Sequence, residues 1–282
     1  MADNSRDFTS VYQTDERADH WAREKLRRQE SSGAATETLI KVADLHIGDR
    51  VLEVAAGTGD LAVIVAQAVG SSGQVVAVDS SPQMLAHAGK AAREAGLNNI
   101  ATRVMSAEAL EFEENSFNAV ICRMGLMLFG NPLTALNEMH RVAKLEGKVA
   151  VMVWSSADRN PFHGLPLQIA RRIGNIPAPG PDKPGLFALG DSERLEDLFR
   201  KVGFRIVSSQ SSTHHRKYLS IQDAITLIKS SGGAGALQNV MVNLSIADQD
   251  KAWVEITEAL IQFDGPNGFE APGEVLIATG TK

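Results

Sequence analysis

Short apolar runs alternate along the chain with longer amphipathic stretches. Residues 50–54 and 74–79 are nearly uninterrupted runs of Val, Leu and Ala, and each is followed by turn residues and a helical pattern. Further apolar strands are predicted at residues 100–105, 117–122 and 148–154. A helix is predicted at residues 132–143, between the last two of these strands. Continuous apolar runs are typical of strands that are buried on both faces. Their alternation with helices predicts parallel βαβ units in a doubly wound α/β sheet.

The pattern changes after residue 154. Residues 174–190 hold much of the chain's proline, which predicts a stiff loop that no helix crosses. The later elements are a helix, a strand, a mostly helical stretch and a final strand, predicted at 192–202, 204–209, 220–263 and 273–280.

This order of elements predicts how the 282 residues are organised. We expect an N-terminal helical lid over residues 1–45 and one core domain of some seven strands over residues 46–282. A helical cap would be inserted at about residues 220–264. The lid and a loop over residues 155–190 would close over a substrate.

Composition and charge narrow the classes of function. The 22% of charged residues and 44% of hydrophobic residues are ordinary for a globular protein, and the net charge of −6 argues against nucleic acid as a partner. Basic residues at 23–28 are interleaved with Glu24, which predicts a solvated helix face. The longest apolar run, 61–69, is too short to span a membrane. The single cysteine, Cys122, fits a reducing compartment, so we expect a cytoplasmic protein.

The turn after the first strand has the composition of a nucleotide-binding loop. Gly57 and Gly59 allow a tight turn at the carboxyl end of the strand, where open α/β sheets bind ligands. Asp79 ends the second strand and can accept hydrogen bonds from both hydroxyls of a ribose. Residues 57–62 also satisfy the dinucleotide fingerprint G-x-G-x-x-A, so NAD is an alternative. Glu53 opposes NAD, because a carboxylate suits a cationic ammonium group and repels a pyrophosphate.

Four ordered segments resemble the class I methyltransferases, in particular those similar to ubiquinone and menaquinone biosynthesis methyltransferases. The segments are 51–61, 75–85, 107–120 and 132–154, the last containing Ala-Leu-Asn-Glu-Met-His-Arg-Val. The resemblance implies a Rossmann-like, seven-stranded, mostly parallel sheet whose antiparallel last strand is residues 274–279. It also implies S-adenosyl-L-methionine as cofactor, S-adenosyl-L-homocysteine as product and in-line transfer of the methyl group to a small metabolite.

The resemblance assigns cofactor contacts by position. Those at the methionine end would be Glu53, Ala55, Ala56, Gly57, Gly59 and Arg123. Those around the ribose and adenine would be Asp79, Ser80, Met84, Ser106, Ala107 and Glu108. Two positions depart from the family. Ala55 stands where glycine is usual, which is tolerable if its φ is negative. Ser106 stands where aspartate is common, which predicts a weaker contact to adenine or one shared with Glu108.

Methyl transfer requires alignment of the acceptor more than a catalytic base. His163 follows the fifth strand, at the edge of the sheet where a substrate would lie, and is our candidate catalytic residue; a loop histidine bonded to the backbone is the alternative. His214 and His215 are neighbours and would face opposite sides of a strand, so we interpret them as structural. Predicted substrate contacts are Tyr12, Trp21, Met124, Phe129 and Phe162. No spacing of ligands indicates a metal site.

Three hypotheses remain open from the sequence. The first is an S-adenosylmethionine-dependent methyltransferase that acts on a small molecule as a monomer or homodimer. The second is an NAD(P)-dependent oxidoreductase. The third is a methyltransferase-fold protein that binds the cofactor without methylating.

Overall fold

The centre of the molecule is a seven-stranded sheet. The computed structural model describes residues 13–180, 183–231 and 235–282. The strands of the central sheet, in chain order, are β1 (Arg50–Val54), β2 (Gln74–Asp79), β3 (Ile100–Val104), β4 (Phe117–Arg123), β5 (Ala143–Trp154), β6 (Arg205–Thr213) and β10 (Glu274–Thr281). Their spatial order is β3-β2-β1-β4-β5-β10-β6. Neighbours among the first five are parallel, whereas β10 is antiparallel to both β5 and β6. This confirms the predicted sheet and its antiparallel last strand.

Helices connect these strands and cover the sheet. They are α1 (Asp15–Arg23), α2 (Lys25–Ala43), α3 (Asp60–Val69), α4 (Pro82–Glu94), α5 (Pro132–Val142), α6 (Pro161–Ile173) and α7 (Ser192–Val202). The middle strands are buried along almost their whole length, with Leu52, Ala77 and Ile121 fully inaccessible. Burial on both faces explains why these strands have continuous apolar sequences, and why β1 and β2 begin and end where the sequence predicts.

Two sheet elements are longer than their apolar patterns. β5 begins at Ala143, directly after α5, because Ala143 pairs with Phe117 before a bulge shifts the register. β6 continues to Thr213 through a run of Ser and Gln. It is the edge strand, and none of its residues is buried, so its sequence need not be apolar. The predicted start of β5 at residue 148 and the predicted end of β6 at residue 209 were therefore wrong.

The segment 155–190 is not one long loop, because α6 occupies residues 161–173. Pro161 stands in its first turn, where the missing N–H costs nothing. Pro166 lies inside the same helix and hides the helical pattern from a sequence reading.

A helical and stranded segment lies between β6 and β10. Its strands β7 (Arg216–Tyr218), β8 (Asp264–Gly265) and β9 (Gly268–Ala271) form a small antiparallel sheet, and its helices are α8 (Ile221–Ser231), α9 (Ala236–Met241) and α10 (Ile246–Leu260). The sequence predicted the helices but not these strands, which are only two to four residues long. The division into lid, core and cap remains a prediction. Within the described ranges, no helix is long and apolar enough to cross a bilayer.

Candidate functional site

A cavity of about 540 Å³ opens at the carboxyl ends of β1, β2 and β4. This is the point where the strand order reverses, which is where open α/β sheets bind ligands. Most residues that the sequence predicted as contacts line it, namely Trp21, Glu53, Ala55, Ala56, Gly57, Asp79, Ser80, Met84, Ser106, Ala107, Glu108, Arg123, Met124, Phe129, Phe162 and His163. Tyr12 lies outside the described residues. Among the residues that are described, no cluster of three His, Cys, Asp or Glu side chains could hold a metal.

Gly59 is the exception, because it does not line the cavity. It has a φ of 78° and precedes the first residue of α3. A Cβ at this position would lie 2.7 Å from the Cβ of Ala88 in α4. Close approach of α4, together with the positive φ, therefore explains this glycine without a ligand contact.

Asp79 is held at the end of β2 by the backbone of two loops. Its Oδ2 accepts the N–H of Gly57 and its Oδ1 accepts the N–H of Ser81, both at 2.9 Å. Burial raises the pKa of Asp79, and these backbone bonds oppose that shift. Each carboxylate oxygen keeps a further lone pair. The carboxylate can therefore still accept two hydroxyl groups, as a ribose would offer.

Glu53 is a buried carboxyl group with an unmet hydrogen bond. Its side chain lies in β1 with 2% of its surface exposed, and its Oε2 has no partner. Burial raises the pKa of Glu53 to about 8, although Arg123 opposes the shift. An unpaired buried acceptor of this kind fits the ammonium group of S-adenosylmethionine. When bound, that cofactor supplies a methyl group on a positively charged sulfur.

The residues at the predicted adenine end are already partly engaged. Ser106 Oγ accepts the N–H of Glu108 at 3.2 Å. Glu108 Oε1 accepts the N–H of Asn131 at 2.8 Å, just before α5. One oxygen of Glu108 is thus used by the loop, and the serine has lost one of its two lone pairs. This arrangement agrees with a weaker adenine contact than an aspartate would give, which remains a prediction.

Ala55 has a φ of 58°, so the condition under which alanine would be tolerated there is not met. The left-handed region favours glycine, because the Cβ of an L residue crowds the backbone. Gly125 makes room for this methyl group: a Cβ at Gly125 would lie 2.6 Å from Ala55 Cβ and 2.9 Å from Cys122 Sγ. The methyl group of Ala55, in the loop after β1, therefore needs the space that glycine leaves at position 125, in the loop after β4.

Replacing Ala55 with Gly should raise the free energy of unfolding by up to about 1 kcal/mol. Relief of the left-handed strain, about 1–2 kcal/mol, exceeds the larger chain entropy that glycine loses on folding. Ala56→Gly is the matched control, because Ala56 has no positive φ, and it should lose about 0.5–1 kcal/mol. Urea unfolding measures both; equal losses in the two variants would contradict the strain at Ala55.

Arg28 corrects the prediction that residues 23–28 form a solvated face. Its side chain is 16% exposed, and its Nη2 lies 2.6 Å from Asp60 Oδ2 and 3.2 Å from Thr58 Oγ1. The guanidinium carbon lies 4.6 Å from the ring centre of Trp21. A Cβ at Gly57 would lie 3.7 Å from Trp21 Nε1. Trp21, predicted as a substrate contact, thus lies beside the predicted cofactor loop.

The far end of the cavity is aromatic. Phe162 and Tyr218 are stacked with ring centres 5.2 Å apart, and Trp154 lies 5.0 Å from His163. His163 occupies the first turn of α6, and its Nε2 lies 3.2 Å from Arg216 Nη2. Burial, with the Arg216 charge next, holds the pKa of His163 well below its ordinary value. His163 is therefore neutral at pH 7.

The predicted contacts did not include several residues that line this end of the cavity, among them Trp154 of β5 and, around β7, His214, Arg216 and Tyr218. The last three alternate along the chain, so they share one face as β7 is entered. His215 and Lys217 alternate with them, and each lies 3.0 Å from Glu270, although part of Lys217 also lines the cavity. The two neighbouring histidines thus face opposite ways, as predicted, but His214 belongs to the cavity. A period of two over residues 214–218 was the available signal.

Comparison with known sequences agrees with this geometry. Residues 35–172 match the ubiE/COQ5 methyltransferase family. The chain is 32% identical over 184 residues to the ubiquinone/menaquinone biosynthesis C-methyltransferase UbiE of Blochmanniella floridana, an alignment covering 60% of this chain and 70% of that protein. Other relatives of the same name are matched over 44% and 56% of their own length.

Solved structures show the same fold. The YcgJ protein of Bacillus subtilis superposes with a TM-score of 0.58 at 20% identity, over 88% of this chain and 97% of that one. A phosphoethanolamine N-methyltransferase of Haemonchus contortus, solved with S-adenosyl-L-methionine, gives 0.58 at 16% identity over 99% and 60%. The chain belongs to the ubiE/COQ5 methyltransferase family and is an S-adenosylmethionine-dependent methyltransferase that acts on a small molecule.

Proposed function

We propose that the acceptor is an electron-rich, hydroxylated ring of the quinone-precursor class, and that one of its carbon atoms takes the methyl group. The observation that carries this proposal is the aromatic end of the cavity, where Trp154, Phe162 and Tyr218 face the same space as the predicted cofactor contacts. Flat rings pack favourably against such walls. The relatives named above are C-methyltransferases of ubiquinone and menaquinone biosynthesis, which supports both a ring as acceptor and carbon as the methylated atom.

The protein's own contribution would be alignment and exclusion of water. Leu186 of the segment before α7 and Leu227 of α8 line the cavity together with Met127. These apolar side chains would hold the ring against the reactive methyl group, and such positioning is worth roughly 7–11 kcal/mol in favourable systems. His163 remains the candidate catalytic residue, since a neutral imidazole can take up a proton.

The cofactor would bind through the residues that resemblance and geometry share. Glu53 would hold its ammonium group and Asp79 its ribose. The loop residues Ala55, Ala56 and Gly57 would pass beside its amino-acid portion. Gly59 is left out of this set, because it packs against α4.

The test is transfer of a deuterated methyl group to a panel of acceptors. The panel contains a substituted hydroquinone, the same ring with both hydroxyls methylated, an aliphatic amine and an alkyl thiol. We expect a new aryl–CD3 group, located by NMR, on the hydroquinone and on none of the others. Label on oxygen, on nitrogen or on sulfur, or no transfer to the hydroquinone at saturating cofactor, would overturn the proposal.

We propose further that the enzyme works in the cytoplasm as a monomer or homodimer. Its one cysteine, Cys122, is buried, and burial raises the pKa of the thiol to about 12, so it is a poor candidate for oxidation. Light scattering of the purified chain would determine the oligomeric state.

A further inference from the structure

Arg216 places a positive charge at the aromatic end of the cavity without an acidic partner. Its guanidinium carbon lies 5.2 Å from the ring centre of Trp154 and 5.8 Å from that of Phe162. Its Nη2 lies 3.2 Å from His163 Nε2, and its Nε is buried with no hydrogen bond. Among the acidic side chains that the structure describes, none lies within ion-pair distance of it.

A partly buried cation of this kind is costly unless something compensates its lost hydration. The two aromatic faces compensate part of the charge. Nη2 lies against His163 Nε2 and the guanidinium also bonds to the Tyr218 hydroxyl, but both of these partners are uncharged and Nε has no partner. A planar guanidinium with a free donor and no anionic partner is suited to an oxyanion. The alternative, that Arg216 serves packing alone, does not explain a charged residue whose Nε points at no acceptor.

The other ionisable groups around the cavity do not neutralise Arg216. Besides His163, those nearby are Glu24 between α1 and α2, Arg27 of α2, Arg123 at the end of β4, and His214, Lys217 and Tyr218 around β7. The Glu24 carboxylate is already ion-paired with Arg27, at an N–O distance of 3.5 Å. Burial, with Arg216 next, lowers the pKa of His214 to about 3. Both imidazoles are therefore neutral near pH 7, and the excess positive charge persists.

We propose that Arg216 binds the acceptor as an oxyanion, so that the acceptor class is acidic hydroxylated rings taken up in their ionised form. This inference rests on the ring acceptor proposed above. The hydroxyl proton passes to solvent on binding, and the negative charge that remains is shared with the ring carbons next to the oxygen. That charge makes a ring carbon nucleophilic, so the carbon–methyl bond forms as the bond from the methyl group to sulfur breaks and its electron pair stays on sulfur. The methylated carbon then gives up its proton, for which the neutral imidazole of His163 is the candidate acceptor, and the ring becomes aromatic again. Arg216 is thus a binding residue, whose guanidinium lies beside His163 Nε2.

The probe is 4-nitrophenol, whose phenolate is yellow, added to the full chain saturated with S-adenosylhomocysteine. An adjacent cation lowers the pKa of an acid by about 1–3 units. At a fixed acidic pH, the ratio of phenolate to phenol should therefore be at least about tenfold higher for bound probe than for free probe. Arg216→Gln should abolish this excess and Arg216→Lys should keep part of it. Arg171→Gln is the control, because Arg171 of α6 is also partly buried with an unpartnered Nε but does not line the cavity.

The melting temperature tests a structural role of Arg216 separately from its role in binding. Removing an unpaired cation should leave the melting temperature of Arg216→Gln equal to or above that of the parent, whereas a structural arginine would lower it. Equal probe ionisation in Arg216→Gln and the parent, or no binding of probe to the parent, would overturn the assignment. The readout needs no methyl transfer. Ionisation without ring methylation would therefore refute the proposed acceptor alone, and ring methylation with an unaffected Arg216→Gln would refute Arg216 alone.

Discussion

Replacing Arg28 with Met is expected to lower the free energy of unfolding by about 3–5 kcal/mol, the usual loss when one partner of a buried ion pair is removed. The side chains of Arg28 and Asp60 are 16% and 3% exposed, and their closest N–O distance is 2.6 Å. Methionine keeps the length and the contact with Trp21 but leaves the carboxylate with the hydroxyl of Thr58. Asp60 begins α3, and the helix dipole places the loss toward the lower end of this range.

Arg27→Met is the matched control in the same helix. Arg27 is 49% exposed and lies 3.5 Å from Glu24, so its loss should stay within about 0.5 kcal/mol. Urea unfolding monitored by circular dichroism gives both values. Adding Asp60→Asn to Arg28→Met should recover part of the loss, because the uncompensated charge is then gone. Equal stability of the two single variants would show that the pair does not hold α2 to the loop after β1.

The structure explains why Arg28 escaped sequence analysis. Its partner lies 32 residues away, beyond the first strand, and nothing in the local pattern distinguishes Arg28 from exposed Arg27. A charged helix face predicts solvent by default. The contact arises when α2 packs near the start of α3, which is a tertiary event.

The fold was predictable where burial imposes a period on the sequence. The continuous apolar runs of β1 and β2 lie in the middle of the sheet and follow from burial on both faces. The polar edge strand β6 and the strands β7, β8 and β9 carry no such constraint. β6 and β7 are set by pairing with strands distant in the chain, as between Lys217 and Glu270, and β8 pairs with the neighbouring β9 in a hairpin too short to show a pattern.

The same distinction separates the two ends of the cavity. Glu53, Gly57 and Asp79 lie at strand ends close together in the chain, so their convergence followed from the parallel sheet alone. Arg216 and Tyr218 reach the site from the short strand β7, which pairs with β9 far along the chain and was not predicted from the sequence. Of the two cofactors considered, the family match favours S-adenosylmethionine over NAD, as the buried carboxyl of Glu53 had indicated.

S-adenosylhomocysteine should bind about 50-fold more tightly at pH 8 than at pH 6, because Glu53 must ionise before it can pair with the ligand's ammonium group. Burial raises the pKa of Glu53 to about 8. About 1% of these carboxyl groups are then ionised at pH 6 and about half at pH 8, and that ratio is the expected gain. Calorimetric titrations at the two pH values measure it.

The same shift determines the sign of a stability measurement. Between about pH 5 and pH 8, folded protein retains a proton on Glu53 that the unfolded chain has released. Ligand-free protein should therefore lose stability from this group as the pH rises through that window. A bound ammonium group favours the ionised carboxylate and cancels the loss. The rise in melting temperature caused by S-adenosylhomocysteine should consequently be larger at pH 8 than at pH 6.

Two variants distinguish the contribution of Glu53 to the pH dependence of binding from the contributions of neighbouring groups. Glu53→Gln should bind the ligand weakly and with equal affinity at both pH values, because the titrating group is gone. Asp79→Asn should weaken binding by about 1–3 kcal/mol through the ribose contact but retain the pH dependence. His20 also lines the cavity, and burial, with Arg17 next, lowers its pKa. Glu53→Gln keeps this histidine, so any pH dependence that comes from His20 would survive in that variant. A pH dependence that survives in Glu53→Gln, or equal affinity of the parent at both pH values, would contradict the proposed contact between Glu53 and the ammonium group.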